Sequence, residues 1–292
     1  MSDMENPIQS DVPAYGRPKV ESQQTNQEEP ARLGPAARLT GVLFSPGETF
    51  QDINRKPTWL VPFLITIIIT LAFSVFFEWR AKPDWDRFFN TMAEKRAGKP
   101  LKDLPPEQQD QIHKQLEWQK KFAKTDLTTP LTIVIAVGKF FVFYVFAFLI
   151  PTGVFALGMM FIQAQTTFKK ILSVVAWSWC ATGLVGIVVA IAALMVRDEE
   201  GLRDINLGDP AGMVPTNLAA FLPSDASRVL SAIAASIDIF TIWYLILLSI
   251  GFAMIAGTKK FKTSKTATLV FGAYVVWVLV KVGFAAIGFG GS

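Results

Sequence analysis

The chain has almost none of the side chains with which enzymes do chemistry. Among its 292 residues there is one cysteine, Cys180, and one histidine, His113. A single cysteine forms no intrachain disulfide, and without a CxxC pair there is no zinc or redox motif. Cys180 lies inside an apolar block and reads as a small packing residue. His113 lies in a polar segment and reads as solvated, since a lone histidine builds no His-rich metal site. No HExxH, GxSxG or GxxxxGK[ST] pattern occurs. An intramembrane protease needs a Ser/His or Asp/Asp set within its spans, and only Asp238 is available for one. These absences argue against an enzyme and predict neither cofactor nor metal. Charge of one sign is also scarce: the net charge of +4 gives a nucleic-acid partner no support.

What the chain has in abundance is hydrocarbon. Hydrophobic residues make up 51% of it, phenylalanine alone occurs 24 times, and these residues stand in long unbroken blocks rather than at helical or strand period. Such blocks are the signature of membrane spans. The first, 60–77, holds thirteen Leu, Ile, Val or Phe among eighteen residues and no charge. Eighteen residues rise about 27 Å, close to the hydrocarbon thickness of a bilayer. Trp59 and Trp79 bracket it as interfacial aromatics do. Further spans are expected at 140–162, 171–196, 239–256 and 267–289. Pro151 is expected to kink the second, and Gly183 and Gly186 to let helices approach closely in the third. The fold class that follows is all-α: a polytopic membrane helical bundle with five transmembrane helices. No apolar stretch precedes residue 60, so the first span is expected to stay as an anchor.

The polar segments divide the rest. Residues 1–36 are rich in Gln, Glu, Asn and Ser, punctuated by proline, and are expected to be a disordered tail. Residues 37–289 form the membrane domain. Just before the first span, Ser45, Pro46 and Glu48 read as the start of a short helix. Phe50 and Ile53 share a face with Pro46, Phe44 precedes them, and Arg55 and Lys56 stand where anionic head groups would be. The expectation is a helix lying on the membrane surface. The long loop 78–130 should carry two short helices, one capped by Asp84 and one started by Pro105 and Pro106. Loop 197–227 is acidic, and a helical lead-in from Ser227 to Asp238 follows it.

Orientation follows from lysine. The two short turns carry Lys169, Lys170, Lys259, Lys260, Lys262 and Lys265 and no acid, which predicts that they face the cytoplasm. With five spans the N-terminus is then inside and the C-terminus outside. Loop 78–130 opposes this with eleven Lys and Arg, but it is long and interleaved with acids. Spans two and three, and spans four and five, each form a hairpin with a basic turn. Phe140, Tyr144 and Ile150 match Phe240, Tyr244 and Ile250, a weak parallel repeat. Three charges border spans: Lys139, Asp238 and Lys281. They are expected either to mark the interface or to form a buried pair joining Asp238 to Lys139 or Lys281.

Two stretches carry a resemblance to a known family. One runs Leu43-Phe-Ser-Pro-Gly-Glu-Thr-Phe50 and continues as Lys56-Pro-Thr-Trp-Leu-Val-Pro62. The other runs Asp238-Ile-Phe-Thr-Ile-Trp243, with Leu247-Leu-Ser-Ile-Gly251 after it. In these the chain resembles the Yip-domain family, membrane proteins named for interaction with Ypt/Rab GTPases, over about residues 37–289. The resemblance implies five spans and a cytoplasmic N-terminus. Eukaryotic members act in vesicle traffic with small GTPases and carry an Asp-Leu-Tyr-Gly-Pro motif before the first span. This chain lacks that motif and is more similar to the prokaryotic branch, which implies a cytoplasmic (inner) membrane and carries no Rab partner over. The expected function is that of a non-enzymatic membrane scaffold or adaptor in contact with the lipid bilayer and with a protein partner at the cytoplasmic face. The alternative is a small transporter or channel component with a polar path near Asp238.

Overall fold

The computed structural model describes residues 33–97, 100–123, 128–198, 202, 214–223, 226–257 and 262–286. These residues are helical throughout apart from turns and one isolated bridge. The expected disordered tail lies outside them up to residue 32; from Pro35 the chain is helix. Two ten-residue helices come first, α1 (Pro35–Phe44) and α2 (Pro46–Arg55), separated by Ser45 alone. Each begins on a proline, whose missing N–H costs nothing in a first turn. Ser45 makes no side-chain capping bond, contrary to its expected role.

Five helices then cross the bundle. They are α3 (Leu60–Ala81), α6 (Pro130–Phe161), α7 (Phe168–Val196), α9 (Ile239–Ile255) and α10 (Thr263–Ala286). Four are long and apolar enough to span a bilayer, and α9 is a shorter apolar helix of 17 residues. The chain is therefore a multi-pass integral membrane protein with a helical bundle fold. The helix α6 runs unbroken through Pro151 for 32 residues, starting on a capping box at Thr129, well before the charge-free stretch read as the span.

Side-chain pairs fix the directions. Thr58 meets Trp177 near the start of α3, and Arg80 meets the Arg197 carbonyl at its end, so α3 and α7 run parallel. Phe63 touches Phe148 and Thr70 bonds Tyr144, so α6 runs against α3. Tyr244 packs on Trp179, and Gly251 lies against Val174, so α9 runs against α7. Thr266 Oγ1 donates to the Ser249 carbonyl and Tyr274 reaches Ser236, so α10 reverses again. Residue 33 and residue 286 thus lie at opposite ends, called here the hairpin end and the far end.

The helix α7 is the axis. From Ile171 to Ser178 every residue is buried, as expected of a helix surrounded by protein. Its core neighbours include Val42, Phe50, Ile53, Phe155, Leu248 and Phe252. Close helix approach occurs at Gly251, where a Cβ would overlap Val174 and press on Phe50. It does not occur at Gly186, beside which there is open space, or at Gly183, whose Cβ would meet only the edge of Trp179. At the hairpin end the two turns interlock: the Gln165 N–H donates to the Ala256 carbonyl (3.0 Å). Gly257 follows with φ +82°, and a Cβ there would overlap the Gln165 carbonyl, so no side chain fits.

At the far end, α4 (Trp85–Ala97) and α5 (Pro106–Ala123) form a small helical hairpin. Asp84 caps α4 by accepting from the Arg87 N–H (2.9 Å). Phe89, Ala93, Leu101, Leu104 and Leu116 make its own core. Lys120 bridges to Asp86 at 2.5 Å, and that hydrogen bond raises the lysine pKa above its ordinary value. Trp85 also packs on Phe77, Ala81 and Leu194, which seats the hairpin on the ends of α3 and α7.

Gly251→Val should lower the thermal midpoint of the detergent-purified protein, by overpacking worth about 1–3 kcal/mol. Gly272→Ala, where a Cβ meets nothing within 4 Å, should leave it unchanged or slightly raised. Equal effects at the two positions would show that the α2–α7–α9 contact is not tight.

Candidate functional site

Two polar nodes stand out, one at each end of the bundle. The first is built on Arg38 and Asp52. Both are 3% exposed, and the guanidinium spends all three nitrogens on neighbours. Nη2 lies 2.8 Å from Asp52 Oδ2, and Nε donates to the same oxygen at 2.9 Å. Nη2 also reaches the Asp52 carbonyl (3.3 Å), while Nη1 donates to the Lys56 carbonyl (3.1 Å) and to Thr58 Oγ1 (2.6 Å). Arg38 therefore sits on the C-terminal carbonyls of α2, where a cation also meets the negative end of the helix dipole. A buried charge is costly unless paired and fully hydrogen-bonded, and this one is both.

The node continues into the membrane helices. The Thr58 carbonyl accepts from Trp177 Nε1 (2.8 Å), and the Trp177 ring is completely buried in α7. On its other side α2 grips α9: Asn54 Nδ2 donates to the Met254 carbonyl at 3.2 Å, and Phe50 fills the space over Gly251. Val42, Phe50 and Ile53 are 0% exposed.

This corrects the expected surface helix. A helix does form over Pro46–Arg55, but the face of Phe50 and Ile53 is turned into the bundle and is not free to lie on lipid. The reason is the groove between α7 and α9, opened by Gly251, which buries that face more completely than a head-group layer would. Pro46 and Arg55 are half-buried, and Lys56 is exposed while its carbonyl serves Arg38. Phe44, at the tip between α1 and α2, is 83% exposed.

The second node lies where α8 (Arg228–Ala235) breaks before α9. Asp238 caps α9, its Oδ1 accepting from the Thr241 N–H at 2.8 Å. Ser236 is buried; its Oγ donates to the Ala232 carbonyl (2.8 Å) and accepts from Lys281 Nζ (3.0 Å). The Ser236 carbonyl accepts from Tyr274 Oη at 2.5 Å. Asn217 pairs with Asp238 in a short antiparallel bridge that ties residues 216–218 to the break. Asp238 and Lys281 thus meet the same turn, but among the described residues no ion pair joins Asp238 to Lys281 or to Lys139. Lys139 stands apart on α6, over the Phe140 ring (5.5 Å) and in the field of Glu78. Of the two expected alternatives the buried pair is not formed: the carboxylate is taken by the helix N-terminus, and the lysine by a serine at the preceding C-terminus.

The family model described as the Yip1 domain matches residues 40–287, which takes in part of α1 and every helix after it. The chain belongs to the Yip1-domain family. No curated protein and no solved structure matches it. In this Yip1 domain the resembling stretch 43–50 is the tip of the α1–α2 hairpin, and the stretch 238–251 is the helix that carries both the Asp238 cap and the Gly251 approach. Sequence reasoning missed Arg38 and Asp52, because α1 itself was not foreseen. A signal was present: Arg38 and Val42 lie four apart on one face, as do Thr49, Asp52 and Ile53 on the next helix, so each apolar face carries one charge of opposite sign.

Arg38→Met alone or Asp52→Leu alone should destabilise the protein by about 3–5 kcal/mol, because each leaves an unpaired buried charge. The double variant should recover most of that loss. Chemical or thermal denaturation in detergent reads the cycle, and additive single losses would deny the pair.

Proposed function

We propose that this Yip1 domain is a non-enzymatic membrane adaptor that presents the α1–α2 hairpin as a rigid platform for a protein partner. The observation that carries the reading is the contrast within the hairpin. Its inner side is locked to α7 and α9 through Arg38, Asp52, Phe50 and Asn54, while its tip leaves Phe44 almost fully exposed beside Ser45 and Glu48. A platform that loses little freedom on binding needs less of its interaction energy for ordering. An exposed aromatic ringed by polar groups is the usual anchor of a protein contact.

The hairpin end also carries Lys169, Lys170, Lys262 and Lys265, on the turns that precede α7 and α10 or in their first turns. By the positive-inside rule this end is cytoplasmic, and the far end, with the α4–α5 hairpin, is outside. The partner would then be a cytoplasmic or membrane-attached protein, and the membrane a cytoplasmic one.

A second reading, a transporter component, rests on the α8–α9 break. Polar breaks in spanning helices line ion and substrate paths in transporters. Against it, the break is filled by Lys281 and Tyr274 of the same chain.

Cross-linking the tagged protein in its native membrane, followed by purification in mild detergent, should capture a near-stoichiometric partner through residues 35–57. Phe44→Asp should lower that recovery without moving the thermal midpoint. A clean preparation with no partner, together with flux across proteoliposomes that Asp238→Asn abolishes, would replace the adaptor reading with the transport one.

A further inference from the structure

Between α3, α6 and α7 runs a half-open cleft of about 220 Å³, lined by Thr66, Thr70 and Phe73 of α3, Tyr144 of α6, and Trp179 and Leu184 of α7, among others. None of Lys139, Asp238 and Lys281 lines it. It extends from Trp179 to Ile187 along α7, eight residues or about 12 Å. On α3 its centre lies some ten residues from either end of the helix, which puts it near the bilayer midplane. We propose that this cleft holds the end of a phospholipid acyl chain as a bound ligand. The proposal is independent of the adaptor reading.

The occupant follows from what the walls offer and where the mouth opens. The side chains bordering the lining residues, Ile68 and Val75 on α3 and Val188 on α7, are exposed, so this flank of the bundle faces hydrocarbon. Each hydroxyl inside has one partner within the protein. Thr66 Oγ1 donates to the Pro62 carbonyl (2.7 Å), and Thr70 Oγ1 and Tyr144 Oη bond one another (2.9 Å). Those bonds hold the hydroxyls toward the helix backbones and toward each other, so the wall between them is mostly hydrocarbon. The larger part of the wall is apolar, from Ile69, Phe73, Leu184, Ile187 and the Trp179 ring, a surface that gains by dispersion contact with a hydrocarbon chain. An empty cleft of this size at protein packing density would forfeit those contacts. Gly183 keeps it open, since a Cβ there meets only the edge of Trp179 at 4.0 Å.

The test uses proteoliposomes containing a phosphatidylcholine with a diazirine near the end of one acyl chain, irradiated and then mapped by peptide mass spectrometry. Adducts should concentrate on the peptides containing 69–73 and 184–187, saturate with probe, and fall on addition of unlabelled lipid. They should exceed several-fold those at the exposed flanks around Val142 and Val276. Gly183→Leu, which fills the cleft, should remove the excess and leave the flank adducts unchanged. Should that variant misfold, Ile187→Phe at the mouth should reduce the excess in the same way. Adducts no denser in the cleft than on the flanks, or an excess that neither variant alters, would overturn the proposal. So would rapid modification by a water-soluble maleimide of a cysteine placed at Ile187 in a Cys180→Ala background, because the cleft would then hold water.

Discussion

The contact between Arg38 and Asp52 sets how this membrane domain begins. Two short helices of mixed polarity would not hold their place on a bundle by apolar area alone, since a ten-residue helix is marginal in isolation. The ion pair closes the angle between α1 and α2, satisfies the last carbonyls of α2, and hands its hydrogen-bonding on through Thr58 to Trp177. Once the hairpin is closed, Val42, Phe50 and Ile53 become one apolar surface that fits the groove of α7 and α9. The pair adds direction more than energy: replacing it with matched apolar groups would cost little, whereas removing half of it would leave a charge in the core.

A second constraint comes from the bilayer. At 17 residues α9 rises about 26 Å, the low limit for a span. The chain meets this by breaking rather than extending the helix. The α8–α9 turn places a C-terminus and an N-terminus side by side, and polar side chains serve both: Tyr274 donates to the Ser236 carbonyl, Lys281 to the Ser236 hydroxyl, and Asp238 caps the new helix. In hydrocarbon an unsatisfied backbone group costs several kcal/mol, so such a break persists only when it is filled from within the protein.

The spans were legible because hydrophobic blocks of bilayer length admit few other readings. The starts of α4 and α5 were legible too, because Asp84 and the Pro105–Pro106 pair act on their own neighbours in sequence. What could not be read was anything settled by distant partners. Phe50 and Ile53 show an amphipathic helix but not whether lipid or protein covers it; Gly251, two hundred residues on, decides that. Lys139, Asp238 and Lys281 show costly charge near the membrane but not its bookkeeping, which depends on a carboxylate preferring a helix N-terminus to a lysine. Gly183 and Gly186 look like packing glycines, yet one opens a cleft and beside the other is open space. Arg38 and Asp52 stayed hidden for the same reason: fourteen residues and an unforeseen helix separate them.

The α1–α2 hairpin is part of the folded membrane domain and not a loosely attached surface helix. Hydrogen exchange on the protein in lipid nanodiscs tests this most directly. Amides of 38–56 should exchange as slowly as those of 171–182 in α7, and Arg38→Met should release the former while sparing the latter. Exchange of 38–56 within seconds in the unmodified protein would contradict the account.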